Sequence, residues 1–578
     1  MRILFSLALL CLALQQPVTA QTTPYASAPE SSYIINDTLL INTRDGAQVS
    51  ALLVRKKGVQ KPLPTILIFT IYARVADIRK AQEAADRGYA GVVAYTRGKR
   101  NSPETNVAPY EYDGRDAYDV IDWIAHQSWS NQQVGMYGGS YSGFAQWAAT
   151  KQLHPALKTI VPSASVAPGL DAPMMNNVIM TFPFSWTYYV SNNKWLDTAD
   201  YNSRHWNDLL WQWYQEGSSY RSLDSLANRP NNRIFRSWLA HPTYDTYWQN
   251  MIPYREEFAH INIPVLTTTG YFDGGQVGAT YYFREHLRYV PNAQHYLLIG
   301  PYGHFGCQGY PDSVFNNYRI DPSANIPIHE IIYQWFDHIF FGKDKPAILR
   351  NQVNYQVMGT NQWKHAASWN TTSNDTLTLY LSKTATNGQP TLSSSRPQQP
   401  AYIRQVVDMA DRRTVNSYYY INSILYDSLP DNHGIVFKSA PLSAPLELTG
   451  CFMGKLSATI SKRDIDFSVV LFEQTAKGQY IYLTYFMGRA SYAQDHRVRH
   501  LLTPGNKTTI PFSNSYMTSR QLQTGSRIVA IVNINKSPFE QINYGTGKDV
   551  SSETIRDAGT PLVIKWHNDS FLQLPVWR

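Results

Sequence analysis

The chain has 578 residues and a mass of 65.8 kDa, which at about 100–200 residues per domain means about two to four domains. Hydrophobic residues make up 43% and charged residues 16%, with 40 Tyr and 15 Trp, the reverse of a disordered composition. The 33 Gly and 33 Pro follow no fixed period, and 3 Cys are too few for a collagen-like or disulfide-scaffold class.

Residues 1–20 read MRILFSLALLCLALQQPVTA. Arg2 supplies a positive start, residues 3–14 are apolar, and Val18 and Ala20 put small residues at −3 and −1 of a cut before Gln21. This is the pattern of a secretory signal peptide, too short to span a bilayer comfortably. The mature protein is therefore expected to be exported, periplasmic or secreted. Cys11 leaves with the signal, and Leu10 before it argues against a lipid anchor. Cys307 and Cys451 remain, either paired or as separate thiols. No other apolar run reaches 18 residues, so no membrane span is expected. The formal charge of +8 is spread along the chain, with no basic block longer than RGKR at 97–100. That is a solvated surface rather than a nucleic-acid footprint.

Residues 21–33 form a polar lead-in. From about 32 to 165, short apolar runs alternate with amphipathic stretches. TILIFT (65–70) precedes 80–88, GVVAY (91–95) precedes 118–126, and 134–137 precedes 144–152. Strand–helix alternation predicts an α/β fold with a mostly parallel sheet. Residues 168–253 break the rhythm and hold 7 of the 15 Trp. Spacings such as Leu209 to Trp213 predict helices there, an inserted cap over 168–256. The rhythm resumes with strands at 263–269 and 296–300 and a helix at 328–340. Beyond about 346, runs at 377–381, 446–448, 458–460, 466–471, 480–485 and 528–532 are β-branched or aromatic and separated by turn residues. They predict a β-sandwich, with the catalytic unit placed at 33–345 and the sandwich at 346–578.

The strongest motif is Gly138-Gly139-Ser140-Tyr141-Ser142-Gly143. A short strand enters it and a helix-forming stretch leaves it, the setting of a nucleophile elbow. The chain crosses itself closely in such a turn, so the positions two before and two after the nucleophile must be small. Here they are Gly138 and Ser142. A serine nucleophile needs a base and a carboxylate to orient that base. In this fold they follow in the order Ser, Asp/Glu, His at strand ends. The strand at 264–270 ends at Asp273, and the next ends at His304. An oxyanion hole must also exist. The backbone N–H of Tyr141 is its expected first donor, and Tyr72, just past the 65–70 strand, offers a hydroxyl as the second.

At these residues the sequence resembles the X-Pro dipeptidyl-peptidase/cocaine-esterase (CocE/NonD) family of serine hydrolases, over nearly the whole mature chain. Residues 138–143 with Gln146-Trp147 resemble G-x-S-Y-x-G-x-x-Q-W. Thr70-Ile71-Tyr72 resembles R-T-P-Y, and Thr96-Arg97-Gly98 resembles D-T-R-G. WLAHPTYD (238–245) resembles W-L-x-H-P-x-Y-D, GPYGH (300–304) resembles G-P-W-x-H, and Trp335-Phe336-Asp337 resembles W-F-D. Val357-Met358-Gly359 with Trp363 resembles V-M-G-x-x-x-W. The resemblance implies an α/β-hydrolase domain, a helical cap and a C-terminal jelly roll. It also implies Ser140 as nucleophile, Asp273 as orienter, His304 as base, and an oxyanion hole of Tyr72 and the Tyr141 N–H.

Two departures stand out. Tyr95 replaces the Asp of D-T-R-G, which puts that local ion-pair network in question. Asp273 is followed by Gly274-Gly275-Gln276, where α-amino-acid ester hydrolases of the family place acidic residues to grip a substrate ammonium. This argues against β-lactam antibiotic synthesis and gives no support to recognition of a free N-terminus.

The expected function is hydrolysis of a carboxylic ester, or an amide, through an acyl-enzyme. X-Pro dipeptidyl-peptidase activity on short peptides is the alternative with the same triad, and a non-catalytic glycan-binding protein the remote one. No metal-ligand spacing or phosphate-binding Gly loop occurs, and acyl transfer requires no cofactor. The sequence leaves oligomerisation open.

Overall fold

The computed structural model describes residues 28–201, 204–383, 388–416 and 423–578. The signal peptide expected at 1–20 lies outside them.

The first sheet has ten strands, in the order β1-β2-β4-β3-β5-β6-β9-β10-β13-β14. The outer pair is β1 (Tyr33–Asn42) and β2 (Gln48–Lys56), which run antiparallel. β3 (Leu63–Thr70) and β4 (Ala90–Tyr95) are buried along their full length. Both faces of a parallel sheet are covered by helices, so its strands read as continuous apolar runs. α1 (Ile78–Asp86) connects them, and α2 (Asp113–Ala125) leads to β5 (Ser130–Gly139). α3 (Tyr141–Thr150), buried on every side, leads to β6 (Leu157–Ser163).

Between β6 and the next strand of this sheet lies an insertion. It starts with a two-stranded hairpin, β7 (Met174–Met175) and β8 (Val178–Ile179). The helices α4 (Phe182–Ser191), α5 (Thr198–Tyr201), α6 (Arg204–Glu216), α7 (Leu223–Leu226), α8 (Arg233–Ala240) and α9 (Thr246–Gln249) follow. Trp206, Leu209, Trp213 and Tyr214 form the buried stripe of α6, the helical spacing read from the sequence. The sheet resumes with β9 (Val265–Phe272), α10 (Gln276–Tyr289) and β10 (His295–Gly303). A hairpin of β11 (Val314–Phe315) and β12 (Tyr318–Arg319) and then α11 (Ile328–Phe341) follow. β13 (Val353–Val357) joins β10 in parallel, and β14 (Gln362–Ala366) pairs antiparallel with β13. The first sheet thus continues past the change of texture near residue 346.

The C-terminal part is a 14-stranded antiparallel-rich sheet system. The six runs read from the sequence lie in strands Asp375–Lys383, Leu446–Cys451, Met453–Ile460, Asp466–Gln474, Tyr480–Arg489 and Arg527–Ile534. This part reaches the loop after β9. The Gln276 amide donates to the carbonyls of Gly270 (2.9 Å) and Met517 (3.0 Å) and accepts from the Met517 N–H (2.6 Å). The Tyr516 hydroxyl donates to the Gly274 carbonyl at 3.3 Å.

Parallel register decides what meets at the sheet rim. Gly139 of β5 pairs with Ser163 of β6, and Ser163 with Thr268 of β9. Gly270 pairs with Gly300, and after an irregularity Phe272 pairs with Gly303. The residues just after β5, β9 and β10 therefore emerge at one edge, the carboxyl ends of the strands, where open α/β sheets bind ligands. A Cβ on Gly270 would lie 2.0 Å from the Tyr302 carbonyl oxygen. Gly270→Ala is expected to force β9 from β10 and cost ~1–3 kcal/mol. Urea denaturation measures this, and a midpoint equal to that of wild type would contradict the close approach.

Candidate active site

Ser140 sits between β5 and α3 with φ 61° and ψ −122°. A non-glycine residue at positive φ is strained and must be held by its surroundings. The Ser140 N–H donates to the Ser163 carbonyl at 3.0 Å, and its own carbonyl accepts from Gly143 and Phe144 at 2.9 and 3.0 Å. Gly138 has φ 142°, and a Cβ there would lie 2.7 Å from Ser142 Cβ, so the turn has no room at this position. Ser142, where the strict motif has Gly, uses the room that Gly138 leaves, and its hydroxyl donates to Thr70 Oγ1 at 2.8 Å. The same Thr70 oxygen accepts the Tyr72 N–H at 3.0 Å. One hydroxyl at the end of β3 thus ties the elbow to the segment that carries Tyr72. Gln146 adds a second tie: its amide donates to the Gly138 carbonyl at 3.0 Å and accepts from the Val161 N–H at 2.9 Å.

Asp273 and His304 meet as the strand register requires, with Nδ1 to Oδ1 at 2.7 Å. Asp273 is fully buried, while the His304 side chain is 31% exposed. A buried carboxylate is costly unless its lone pairs are used. Here Oδ1 also accepts the Gly275 N–H at 2.8 Å, and Oδ2 accepts the Thr269 hydroxyl at 2.6 Å. The Cys307 thiol lies 3.7 Å from Oδ2. Burial and the nearby Asp273 charge push this thiol well up, so it stays protonated and donates. Cys307 and Cys451 are both free thiols.

Gln308 joins the two halves of the site. Its amide donates to the His304 carbonyl at 2.6 Å. A Cβ on Gly139 would lie 1.8 Å from Gln308 Oε1, so the Gln308 side chain rests on the residue before Ser140. Sequence reasoning did not single out Gln308; its place one turn after His304 was the available signal.

The Tyr72 hydroxyl lies 3.5 Å from Ser140 Oγ and accepts the Trp186 indole N–H at 3.3 Å. Burial raises its pKa, which keeps it a phenol. Around it the rings of Tyr110, Tyr141, Trp186, Tyr189 and Trp238 make an aromatic wall. Tyr110 and Trp186 stack at 6.0 Å, and Trp186 and Trp238 at 6.3 Å. The Tyr141 hydroxyl donates to Asp113 Oδ2 at 2.8 Å and accepts the Tyr110 N–H at 3.1 Å. Thr96 donates to Asp113 Oδ1 at 2.8 Å. Burial pushes the Asp113 carboxyl up to about 7, against the downward pull of these two hydroxyls.

The network questioned at Tyr95 persists in another form. Arg97 binds Asp116 through Nε at 2.8 Å and Asp45 through Nη1 at 3.0 Å. The Tyr95 hydroxyl donates to Asp77 at 3.3 Å.

A serine on a strained strand-to-helix turn and a His–Asp pair at the following strand ends, beneath an aromatic cap, are features of a serine hydrolase on an α/β-hydrolase fold. The chain belongs to the X-Pro dipeptidyl-peptidase/cocaine-esterase (CocE/NonD) family. Residues 45–306 match the family model of X-Pro dipeptidyl-peptidase (S15 family), and residues 349–556 match that of the X-Pro dipeptidyl-peptidase C-terminal non-catalytic domain. Cocaine esterase of Rhodococcus sp. (strain MB1 Bresler) is 25% identical over 564 residues, spanning 92% of this chain and 96% of that protein. Two solved structures share the fold over almost the whole length. An α-amino acid ester hydrolase superposes with a TM-score of 0.80 at 21% identity, covering 97% of this chain and 99% of that one. An aminopeptidase from the marine sediment archaeon Thaumarchaeota archaeon gives a TM-score of 0.77 at 19% identity, covering 96% and 98%.

Asp113 carries a pH consequence. The folded chain holds the Asp113 proton up to about pH 7, whereas an unfolded Asp releases it near pH ~3.9. Between those values the unfolded state binds fewer protons, so this group's contribution falls as pH rises through the window. Asp113→Asn removes that loss. The melting temperature of the variant relative to wild type is expected to rise from pH 5 to pH 8. A difference that is flat or shrinks would refute the raised pKa.

Proposed function

We propose that this chain is an exported serine esterase that cleaves carboxylic esters through an acyl-enzyme on Ser140. His304 takes the Ser140 proton as the hydroxyl attacks the carbonyl carbon, then delivers it to the leaving alcohol. Asp273, held by Thr269 and the Gly275 N–H, keeps the imidazole turned and stabilises its cationic form. The Tyr72 hydroxyl and the Tyr141 N–H receive the negative charge of the tetrahedral intermediate. Water, activated by His304, then attacks the acyl carbon and restores Ser140. The observation that carries this reading is the Asp273–His304 contact of 2.7 Å at strand ends in register with the Ser140 elbow.

Ester specificity over an X-Pro peptide rests on the charges near the site. A free N-terminal ammonium calls for a carboxylate with open lone pairs. Gly274 and Gly275 follow Asp273. Nearby Asp171 accepts the N–H groups of Ala167 and Gly278, each at 2.8 Å, and burial drives its carboxyl well above the usual range. Both of its oxygens are committed to these backbone donors. The aromatic wall and Phe305, 69% exposed beside His304, suit an apolar ester. Export rests on residues 1–20 alone.

A fluorophosphonate probe is expected to label the wild-type protein and to leave Ser140→Ala unlabelled; equal labelling of both would remove Ser140 from the nucleophile role. Nitrophenyl acetate is expected to be cleaved faster than Ala-Pro-anilide, and the opposite order would favour the dipeptidyl-peptidase. Expressed with its leader in a secreting host, the mature protein is expected to begin at Gln21. An uncleaved N-terminus would count against export by this signal.

A further inference from the structure

The Trp186–Tyr72 contact brings the cap into the chemistry. Trp186 lies on α4, within the insertion, whereas Tyr72 follows β3 of the sheet. An indole N–H can only donate, so at 3.3 Å the Tyr72 oxygen is the acceptor. A phenol has one hydrogen. A phenol oxygen that accepts from the indole still has that hydrogen to donate, and Ser140 Oγ lies 3.5 Å away. That is the direction an oxyanion formed on Ser140 requires. Free rotation of the hydroxyl would let it face elsewhere, and reorienting it during the reaction would add to the barrier.

We infer that Trp186 is a positioning residue that orients and polarises the Tyr72 hydroxyl as the oxyanion donor, so that the cap completes the oxyanion hole. The inference rests on the Ser140 mechanism proposed above. The indole is well placed for this. Its ring stacks on Tyr110 at 6.0 Å and 13° and on Trp238 at 6.3 Å and 24°, and it meets Tyr72 edge-on at 6.5 Å and 83°.

The helix that bears Trp186 is fastened at its far end. The buried Lys99 ammonium donates to the carbonyls of Val190 (2.7 Å), Asn193 (2.5 Å) and Trp195 (3.2 Å). In return Lys194 donates to the carbonyl of Ser102 at 2.5 Å and to that of Glu104. These reciprocal lysines hold α4 against the loop after β4, which fixes where the indole N–H points.

The test is a double-mutant cycle with Trp186→Phe and Tyr72→Phe, read as kcat and KM on nitrophenyl acetate and as affinity for an arylboronic acid that forms a tetrahedral adduct on Ser140. Trp186→Phe is expected to lower kcat and boronate affinity by ~3–10-fold, the worth of one neutral hydrogen bond. In the Tyr72→Phe background it is expected to cost almost nothing, because the group it orients is gone. Replacing Trp186 with benzothienylalanine keeps the ring shape and removes only the N–H, and is expected to give the same loss. An equal loss in both backgrounds, or full kcat in the benzothienylalanine protein, overturns the inference. Wild-type protein that neither turns over esters nor binds the boronate sinks the Ser140 mechanism itself, and this inference with it.

Discussion

Strands β9 and β10 run in parallel register to Gly270 and Gly300, and the irregularity that follows still leaves Phe272 beside Gly303. Asp273 and His304 are the next residues on each strand. Their contact therefore depends on backbone pairing rather than on long flexible side chains, and little conformational entropy is spent in forming it. The pairing depends in turn on two glycines and a carbonyl that lie too close for any Cβ at Gly270. Supports from three directions converge on this point. Thr269 and the Gly275 N–H hold Asp273, Gln308 binds the His304 carbonyl, and Gln276 with Tyr516 couples the loop to the C-terminal part.

The carboxylates near the site are buried and hydrogen-bonded. Asp113, Asp171 and Asp273 each have donors on both oxygens, and desolvation raises the carboxyls of Asp113 and Asp171. The charge of Asp273 adds to the upward shift of Asp171, as one carboxylate does to another. The cap is attached by a different means, ammonium groups set among backbone carbonyls. A buried ammonium is tolerable because three acceptors replace its water, and burial still lowers the Lys99 pKa to about 8.

Much of the architecture was legible because strand and helix periodicity is local. TILIFT and GVVAY lie in β3 and β4, the 144–152 stretch overlaps α3, and Leu209 with Trp213 marks the buried face of α6. The sharp turn at Ser140 was legible for a steric reason: Gly138 leaves space that no side chain could share with Ser142. The addition of β13 and β14 to the first sheet was not legible. A five-residue strand run reads alike in either sheet, and only the partner tells them apart. Gln308 and Trp186 went unread as site residues for a similar reason. A glutamine in a loop and a tryptophan in an aromatic-rich helix have many uses, and their hydrogen-bond partners lie 4 and 114 positions away.

The residue order by itself determined the α/β alternation, the elbow around Ser140, the family likeness and the positions of Tyr72, Asp273 and His304 at strand ends, because each is written in contiguous residues. Tertiary structure alone decided which hydroxyl faces Ser140, which carboxyls desolvation raises and how the insertion grips the sheet. Those outcomes turn on distance and desolvation between segments far apart in the chain, and neither quantity exists until the segments pack.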